Sequence, residues 1–211
     1  ITYSFLALFI CLMGYFTYFQ FEKSEDFIDN PYNTRQETFE QKVVRGKILA
    51  ATGETLAETI SDDAGNDTRR YPYGSILAHV VGYSTHGKTG IESQANFDLL
   101  RSNVSIIEKT GNEIQGEKSI GDNVVTTLDY ELQLRAYDAL GSYDGAVVVM
   151  EPATGKILAM VSKPDFDPNT ISEDWDTLTA DTNTDAVLLN RATQGLYPPG
   201  STFKIITATA A

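Results

Sequence analysis

The stretch 198-PPGSTFKIITATAA-211 places a serine and a lysine three residues apart, directly behind two prolines and a glycine. The prolines and the glycine do not continue a helix easily, but they can lead the chain into one. Ser201 suits an N-cap or a first turn, and the apolar residues that follow predict a helix over 201–211. Because residues three apart share a helix face, we expect the side chains of Ser201 and Lys204 to lie together.

This pair has the chemistry of acyl transfer. A serine hydroxyl is a weak nucleophile that needs a nearby base, and a lysine in an apolar site near a helix start loses its proton more readily. The backbone N–H of Ser201 can help to bind a developing oxyanion. A bare Ser-x-x-Lys also arises by chance, as a capping serine and a surface lysine. Lys204 is the only charged residue after Arg191, in an otherwise apolar helix, which favours a function for it.

Composition narrows the class of protein. The 211 residues suffice for one large or two small domains, and 42% are hydrophobic, as in folded proteins. The chain has 29 acidic and 16 basic residues and a net charge of −13, so we expect no nucleic-acid partner. Cys11 is the only cysteine, which excludes an internal disulfide framework.

We expect neither a metal nor a cofactor. Acidic residues crowd the stretch between Lys163 and Arg191, but no Asp-x-Asp-x-Asp-Gly loop is present, so we interpret this stretch as a solvated loop. His79 and His86 are the only histidines, and with no cysteine near them they make a poor zinc site. We interpret both histidines as structural.

Residues 1–19, ITYSFLALFICLMGYFTYF, contain no charge. As a helix they would span roughly 28 Å, close to the hydrocarbon thickness of a bilayer. Aromatic residues crowd the carboxyl end of this run, where an aromatic belt would lie. A signal peptide and a buried core helix are the alternatives, but no small-x-small cleavage site follows. The sequence therefore predicts a membrane anchor.

The remaining pattern mixes strands and helices, with no internal repeat. Asp129 and Gly141 suit the two caps of an amphipathic helix, with Leu132, Ala136 and Leu140 on one stripe. The predicted elements are a polar helix at 33–41, strands around a Thr52-Gly53 turn at 43–59, a polar loop at 60–68, helices at 74–83, 90–102 and 129–141, strands and turns at 104–127, and a β-hairpin at 145–162 whose two faces are largely covered.

Several stretches together resemble one known family. The stretch 197-YPPGSTFK-204 strongly resembles the active-serine motif of penicillin-binding proteins, and 145-GAVVVMEPATGKILAMVSKPDFDPN-169 resembles the opening strands of their transpeptidase domain. The amino-terminal pedestal of the class B, monofunctional group is similar at further points: 45-RG-I-48, Gly53, Leu56-Ala57, 71-YPYG-74, 80-VVGY-83, 90-GIE-92 and 121-GDNVVTTLDYELQ-133. The resemblance covers nearly the whole chain after the anchor.

The sequence also departs from that family. Ala50-Ala51 stands where the common pedestal signature has Asp-Arg, and the pedestal is short, which is similar to the penicillin-binding protein A subgroup. The family's later site motifs, Ser-x-Asn and Lys-Thr/Ser-Gly, do not follow Ser201. Lys-Thr-Gly occurs at 88–90 and 109–111, upstream of Ser201, and we interpret both as turns. We therefore expect a fragment of a longer protein that ends just after the active-serine motif.

The resemblance implies an α+β fold: an amino-terminal transmembrane helix, a small mixed pedestal domain, and the beginning of a serine transpeptidase (penicillin-binding/β-lactamase-like) α/β domain. The implied boundaries are 1–20 for the anchor, 21–120 for the dimerisation-like pedestal and 121–211 for the incomplete transpeptidase domain. Ser201 and Lys204 are the implied catalytic residues. The substrate-binding residues are unknown, since their motifs are absent from the chain, and the fragment alone is expected to be inactive.

The implied function is that of a D,D-transpeptidase that cross-links peptidoglycan stem peptides and is acylated by β-lactams. The implied location is the cell membrane, with a single pass and the bulk of the chain on the extracytoplasmic side. Division or elongation proteins, such as a glycosyltransferase, are the implied partners. Two alternatives remain: a class D-like β-lactamase or β-lactam sensor, and a non-catalytic cell-wall scaffold.

Overall fold

The computed structural model of the chain describes residues 2–23, 43–62, 65–102, 118–180 and 185–210. Helices and strands occur together, as the predicted α+β fold requires. The strands are β1 (Val43–Val44), β2 (Ile48–Leu49), β3 (Thr55–Ser61), β4 (Asp67–Arg70), β5 (Ser119–Ile120), β6 (Val124–Val125), β7 (Gly145–Met150) and β8 (Ile157–Lys163).

The helices are α1 (Thr2–Tyr18), α2 (Ala78–Val81), α3 (Gly90–Gln94), α4 (Asn96–Leu100), α5 (Tyr130–Leu140), α6 (Ile171–Thr179), α7 (Arg191–Gln194) and α8 (Lys204–Ala210). Two 3-10 helices lie at Gly74–Leu77 and Gly200–Phe203. We refer to the described residues from 43 to 125 as the amino-terminal region, and to those from 126 to 210 as the carboxyl-terminal region.

Helix α1 confirms the helix predicted at the amino terminus, and a π-helical turn at Phe19–Lys23 follows it. None of the residues of α1 is buried. The segment Thr2–Glu22 is long and apolar enough to cross a membrane, judged by its length and composition. The polar helix predicted at 33–41 lies outside the described residues.

A four-stranded sheet with the order β4-β3-β2-β6 organises the amino-terminal region. Strands β2 and β3 are antiparallel, and the turn between them confirms the one predicted at Thr52-Gly53. Strand β6 pairs in parallel with β2, and β1 pairs in parallel with β5. Strands therefore occupy the described part of the predicted 104–127 segment, while residues 103–117 lie outside it.

The polar loop predicted at 60–68 is wrong at both ends. Strand β3 continues to Ser61, and β4 begins at Asp67, so these two residues form the last pair of the antiparallel ladder. The polar residues of β4 gave no alternating apolar signal. Their place is set instead by the ladder and by Lys118, whose Nζ lies 2.7 Å from Asp67 Oδ2. Between the two strands, Asp62 N donates to Asn66 O and Gly65 N donates to Asp62 O, each at 3.0 Å.

The first hydrophobic core lies between this sheet and the short helices beside it. The helices predicted at 74–83 and 90–102 are confirmed, and the second is divided into two helices at Ala95. Leu99, in the second of these, has no exposed surface. The buried members are Ile48, Ala50, Leu56, Ala57, Tyr71, Leu77, Val81, Leu99 and Leu128. Leu128 belongs to the carboxyl-terminal region, so this core spans both regions.

A buried ion cluster lies next to the first core. The fully buried carboxylate of Glu92 accepts hydrogen bonds from Arg45 Nε at 2.6 Å and from Arg69 Nε at 2.8 Å. Arg45 also binds Asn96 Oδ1, at 2.5 Å, and Arg69 donates to Gly46 O at 2.7 Å. Two guanidinium groups thus share one carboxylate. Removing that carboxylate would leave two buried positive charges without their negative partner.

Helix α5 and the β7–β8 hairpin form the centre of the carboxyl-terminal region. The Asp129 side chain accepts a hydrogen bond from Leu132 N at 3.0 Å, which confirms the predicted N-cap, and Gly141 ends the helix with a φ of +58°. Ala136 packs against the buried side chains of Ala159 and Val161 on β8. The predicted amphipathic helix and hairpin are both present.

Two predictions for the carboxyl-terminal region are wrong. On β7, Val148 and Met150 remain 46% and 53% exposed, so the described residues do not cover both faces of the hairpin. The acidic stretch is not one solvated loop, because its middle forms α6. Ile171, at the start of α6, is buried against Phe166 in a second core. Acidic residues on the opposite side of this helix are interspersed with its few apolar residues, so the apolar periodicity is not evident in the sequence.

Asn169 and Gln133 are two of the amide side chains that join the regions by binding backbone atoms. Asn169 Oδ1 accepts from Tyr71 N at 2.9 Å, and Asn169 Nδ2 donates to Tyr71 O at 3.0 Å. The fully buried Gln133 donates from Nε2 to Ile76 O at 2.8 Å and to Met160 O at 2.9 Å, and it accepts from Met160 N at 2.8 Å. We call Asn169 and Gln133 the junction amides.

Candidate active site

The predicted serine–lysine pair lies at a change from one helix type to another. Pro199 precedes the 3-10 helix Gly200–Phe203, which passes directly into α8 at Lys204. Gly200 has a φ of +55°, a conformation that residues with a side chain seldom adopt. The helix predicted over 201–211 is therefore present across its described residues, with a tighter first turn than an α-helix.

Ser201 is the second residue of the 3-10 helix, and Lys204 is the first residue of α8. Side chains three residues apart eclipse one another in a 3-10 helix, so both residues lie on the same side of this turn. Both are exposed. Among the hydrogen bonds of the described residues, none joins Ser201 Oγ to Lys204 Nζ.

The apolar surroundings expected for Lys204 are not formed by the described residues. Helix α8 has no buried residue, and the apolar side chains on and before it face solvent. The exposed fractions are 98% for Leu196, 58% for Tyr197, 52% for Phe203, 73% for Ile205 and 60% for Ile206. We call residues 196–210 the motif segment.

Helix α7 attaches the chain just before the motif segment. Asn190 is its N-cap, and the Asn190 side chain accepts a hydrogen bond from Ala192 N at 3.0 Å. Arg191 N donates to Ser162 Oγ on β8 at 2.9 Å, and the Arg191 guanidinium donates to Asp185 O at 2.6 Å. Because Ser162 is almost fully buried, this attachment connects α7 to the packed part of the hairpin.

The sequence interpretation missed the polar residues that begin α7 and that join the two regions. Asn190 stands directly before an Arg-Ala-Thr-Gln run, and an asparagine at that place is a helix-start signal. Gln133 lies beside the apolar stripe of α5, but a polar residue at that place does not by itself indicate burial. Asn169 gave no comparable signal, because its partner Tyr71 is 98 residues away.

The other candidate residues have structural positions. His79 is buried, its Nε2 donates to Pro164 O at 3.1 Å, and its ring meets Phe166 edge to face. The His86 ring stacks on Trp175. Thr89 of the first Lys-Thr-Gly triplet is the N-cap residue of α3, while 109–111 lies outside the described residues. In the part of the chain that the structure describes, no group of three or more His, Cys, Asp or Glu side chains could hold a metal ion.

Two family models match the chain on either side of α5. Residues 45–124 match the penicillin-binding protein A dimerisation domain, and residues 145–211 match the penicillin-binding protein transpeptidase domain. The second match contains the Ser201–Lys204 motif. The chain belongs to the penicillin-binding protein family.

Similar proteins and structures agree with this family. The peptidoglycan D,D-transpeptidase PbpA of Mycolicibacterium smegmatis is 35% identical over 223 residues, covering 98% of this chain and 45% of that protein. The peptidoglycan D,D-transpeptidase MrdA of Escherichia coli is 36% identical over 184 residues, covering 70% of this chain and 29% of that protein. This penicillin-binding protein chain therefore spans less than half of the length of the curated relatives it matches.

A solved structure shares the fold. Penicillin-binding protein A from M. tuberculosis, in an imipenem acyl-enzyme complex, superposes with a TM-score of 0.70 at 35% sequence identity. The match covers 81% of this chain and 42% of that one. The α+β fold expected from the resemblance is confirmed, and the resemblance to the penicillin-binding protein A subgroup agrees with the match over 45–124.

Proposed function

We propose that the full-length protein containing this chain is a membrane-anchored D,D-transpeptidase that cross-links peptidoglycan stem peptides. The observation that carries the proposal is the Ser201–Lys204 pair at the start of α8, inside the stretch that matches a transpeptidase domain. The relatives named D,D-transpeptidases support the same activity.

Ser201 is the proposed nucleophile. Its Oγ attacks the carbonyl carbon between the two terminal D-alanines of a stem peptide, while the hydroxyl proton passes to Lys204 Nζ. The C–N bond to the terminal D-alanine breaks, the leaving amine takes the proton from Nζ, and an acyl-enzyme ester remains on Ser201. An amine of a neighbouring stem peptide then attacks the ester carbonyl, forms the new amide bond and releases Ser201 with its proton restored.

The local backbone supports these roles. A 3-10 turn aligns side chains three residues apart, so Nζ can approach Oγ without a change in the backbone. Lys204 must be uncharged to accept the proton, and an apolar site that excludes water favours that form. The backbone N–H of Ser201, near the positive end of the turn, is suited to bind the oxyanion of the tetrahedral intermediate.

The domain boundaries follow from the same proposal. Residues 1–20 are the transmembrane anchor, 21–120 the pedestal, and 121–211 the amino-terminal part of the transpeptidase domain. The chain crosses the membrane once, through this anchor, which lies in the long apolar helix Thr2–Glu22. The bulk of the chain is on the extracytoplasmic side, where stem peptides occur. Division or elongation proteins, such as a glycosyltransferase, are the proposed partners, and β-lactams are proposed covalent inhibitors.

Acylation by a fluorescent penicillin tests the proposal. The full-length protein is incubated with the probe, and mass spectrometry identifies the modified peptide. We expect a stable adduct on the peptide containing Ser201, and no adduct in Ser201→Ala, because the hydroxyl that forms the ester is absent. Ser61→Ala, which removes an exposed hydroxyl on β3, is the matched control and should be acylated normally.

The outcomes separate the alternatives. Absence of an adduct in the wild-type protein would contradict the proposal and leave the non-catalytic scaffold. Rapid loss of the adduct, with release of opened penicillin, would indicate a β-lactamase instead of a transpeptidase. Lys204→Ala should lower the rate of acylation by a factor on the order of 10² to 10⁴, the usual contribution of a general base.

A further inference from the structure

The Asn190 side chain has three hydrogen bonds, one of which runs from Nδ2 to Met160 Sδ on β8 at 3.9 Å. Its Oδ1 accepts from Ala192 N at 3.0 Å and so begins helix α7. Its Nδ2 donates to His79 O at 3.2 Å, on α2 in the amino-terminal region. One side chain therefore connects the helix just before the motif segment to a residue 111 positions earlier in the chain.

Two further contacts hold α2 against the carboxyl-terminal region. The buried His79 ring donates from Nε2 to Pro164 O at 3.1 Å, directly after β8. Val187 and Leu188, just before α7, pack against the core cluster that contains Ala78. These apolar contacts bring the surfaces together, while the hydrogen bond from Asn190 fixes their direction and separation.

The connection from α7 to Ser201 is short and contains two adjacent prolines. Gly195 N donates to Arg191 O at 3.2 Å, and a Cβ on Gly195 would lie 2.6 Å from the Tyr197 ring. Pro198 and Pro199 follow, and each proline ring fixes its backbone φ. The prolines leave this connection fewer backbone degrees of freedom, and we expect a displacement of α7 to reach Ser201 through it.

We propose that Asn190 is a positioning residue. It ties the segment carrying Ser201 to α2, so that the amino-terminal region sets the position, and hence the reactivity, of the serine. The effect on reactivity rests on the proposed transpeptidase function. The tie itself does not, because it is a hydrogen bond between two described residues.

Two variants of Asn190 separate the tie from the helix cap. Asn190→Ser keeps an oxygen that can accept from Ala192 N, but the shorter side chain does not reach His79 O. Asn190→Asp keeps the size and the capping oxygen, and it replaces the donor facing His79 O with an acceptor. Asn169→Ser is the matched control, because it removes a junction amide that binds Tyr71, away from the motif segment.

Two measurements on the full-length protein in detergent distinguish the inference from the proposed function. Hydrogen exchange of peptides covering residues 191–204 reports on the tie, and the rate of acylation by fluorescent penicillin reports on Ser201. We expect either Asn190 variant to raise the exchange rate of 191–204 and to slow acylation, each about tenfold, the usual effect of losing one neutral hydrogen bond. Asn169→Ser should speed exchange around residue 71 and leave both values for the motif segment within about twofold.

Each outcome tests either the tie between Asn190 and His79 or the effect of that tie on the reactivity of Ser201. Unchanged exchange over 191–204 in both Asn190 variants would overturn the tie. Faster exchange with an unchanged acylation rate would overturn the positioning role while leaving the tie. Equal slowing of acylation in Asn190→Ser and Asn169→Ser would show a general loss of stability and also overturn the positioning role. If wild-type protein is not acylated, the proposed function and the effect on Ser201 both fail, and exchange alone decides the tie.

Discussion

The amino-terminal region and the motif segment differ in how far their side chains are buried. Around Glu92, the amino-terminal region buries charged groups almost completely and pairs them. The motif segment leaves large apolar side chains such as Leu196 and Ile205 mostly exposed. Contacts across the fold therefore hold the first in place, whereas no described residue packs over the second, which is attached to the rest of the described chain at α7.

The largest expected effect tests the buried charges. Glu92→Ala removes the carboxylate that two buried guanidinium groups share and should lower the free energy of unfolding by about 3–5 kcal/mol. Urea denaturation of the chain in detergent, followed by circular dichroism, measures the change. Glu58→Ala is the matched control, because Glu58 pairs with the exposed Lys47 and Arg70 and should cost about 1 kcal/mol or less. Equal costs for the two variants would remove the contrast between buried and exposed charge.

The second prediction compares apolar side chains in the two places directly. Leu99→Ala empties a fully buried position and should cost about 2–5 kcal/mol. Ile206→Ala removes a side chain that is 60% exposed and should change the free energy of unfolding by about 0.5 kcal/mol or less. The same urea denaturation measures both variants. A cost for Ile206→Ala as large as that for Leu99→Ala would mean that the motif segment is packed as tightly as the core.

The third prediction compares local hydrogen bonds. Asp129→Ala removes the N-cap of α5 and should cost about 1 kcal/mol, because Leu132 N loses its partner. Thr202→Ala removes the hydrogen bond from Thr202 Oγ1 to Pro199 O in the exposed motif segment. It should cost less than about 0.5 kcal/mol, since water can replace the hydroxyl. Thermal unfolding followed by circular dichroism ranks the two, and a reversed order would contradict the comparison.

The smallest expected effect concerns pH and the buried His79. Burial lowers the pKa of His79 below its ordinary value of 6.5, although the Pro164 carbonyl and Asp165 oppose this shift. Above pH 6.5 the ring is neutral in the folded and the unfolded states, so its contribution to stability is fully present. As the pH falls below 6.5, the unfolded state binds a proton that the folded state resists, and this contribution is lost.

His79→Gln tests that dependence, because an amide can donate to Pro164 O but does not titrate. The free energy of unfolding, measured by urea denaturation between pH 7 and pH 5, should fall less steeply in the variant than in the wild-type chain. Parallel curves for the two proteins would show that His79 does not contribute to the pH dependence.

Elements with local signals were predictable from the sequence, and elements made by distant partners were not. Asp129, the apolar stripe after it and Gly141 specify α5 within thirteen residues. Strand β4 has no such signal, because its polar residues become a strand only by pairing with β3. The sequence does not reveal α6, because acidic residues are more numerous around Trp175 than the apolar residues that pack into the second core.

The same limit applies to the site. The Ser201–Lys204 spacing is local, so the sequence alone places the two residues on one side of a turn. The exposure of Lys204 is not local, since it depends on which residues pack against α8. Asn190 has a local role as a helix cap and a distant role at His79 O, and a sequence signal exists for the first role alone.

The junction amides have a consequence for protein engineering. Asn169 and Gln133 bind the backbone N–H and C=O groups of Tyr71, Ile76 and Met160, and these groups are the same whatever side chain stands there. Side chains at the three positions can therefore change without loss of these hydrogen bonds, provided that the backbone keeps its course. Chimaeras that exchange the amino-terminal region between relatives should tolerate sequence divergence at this boundary, as long as both junction amides and Asn190 are retained.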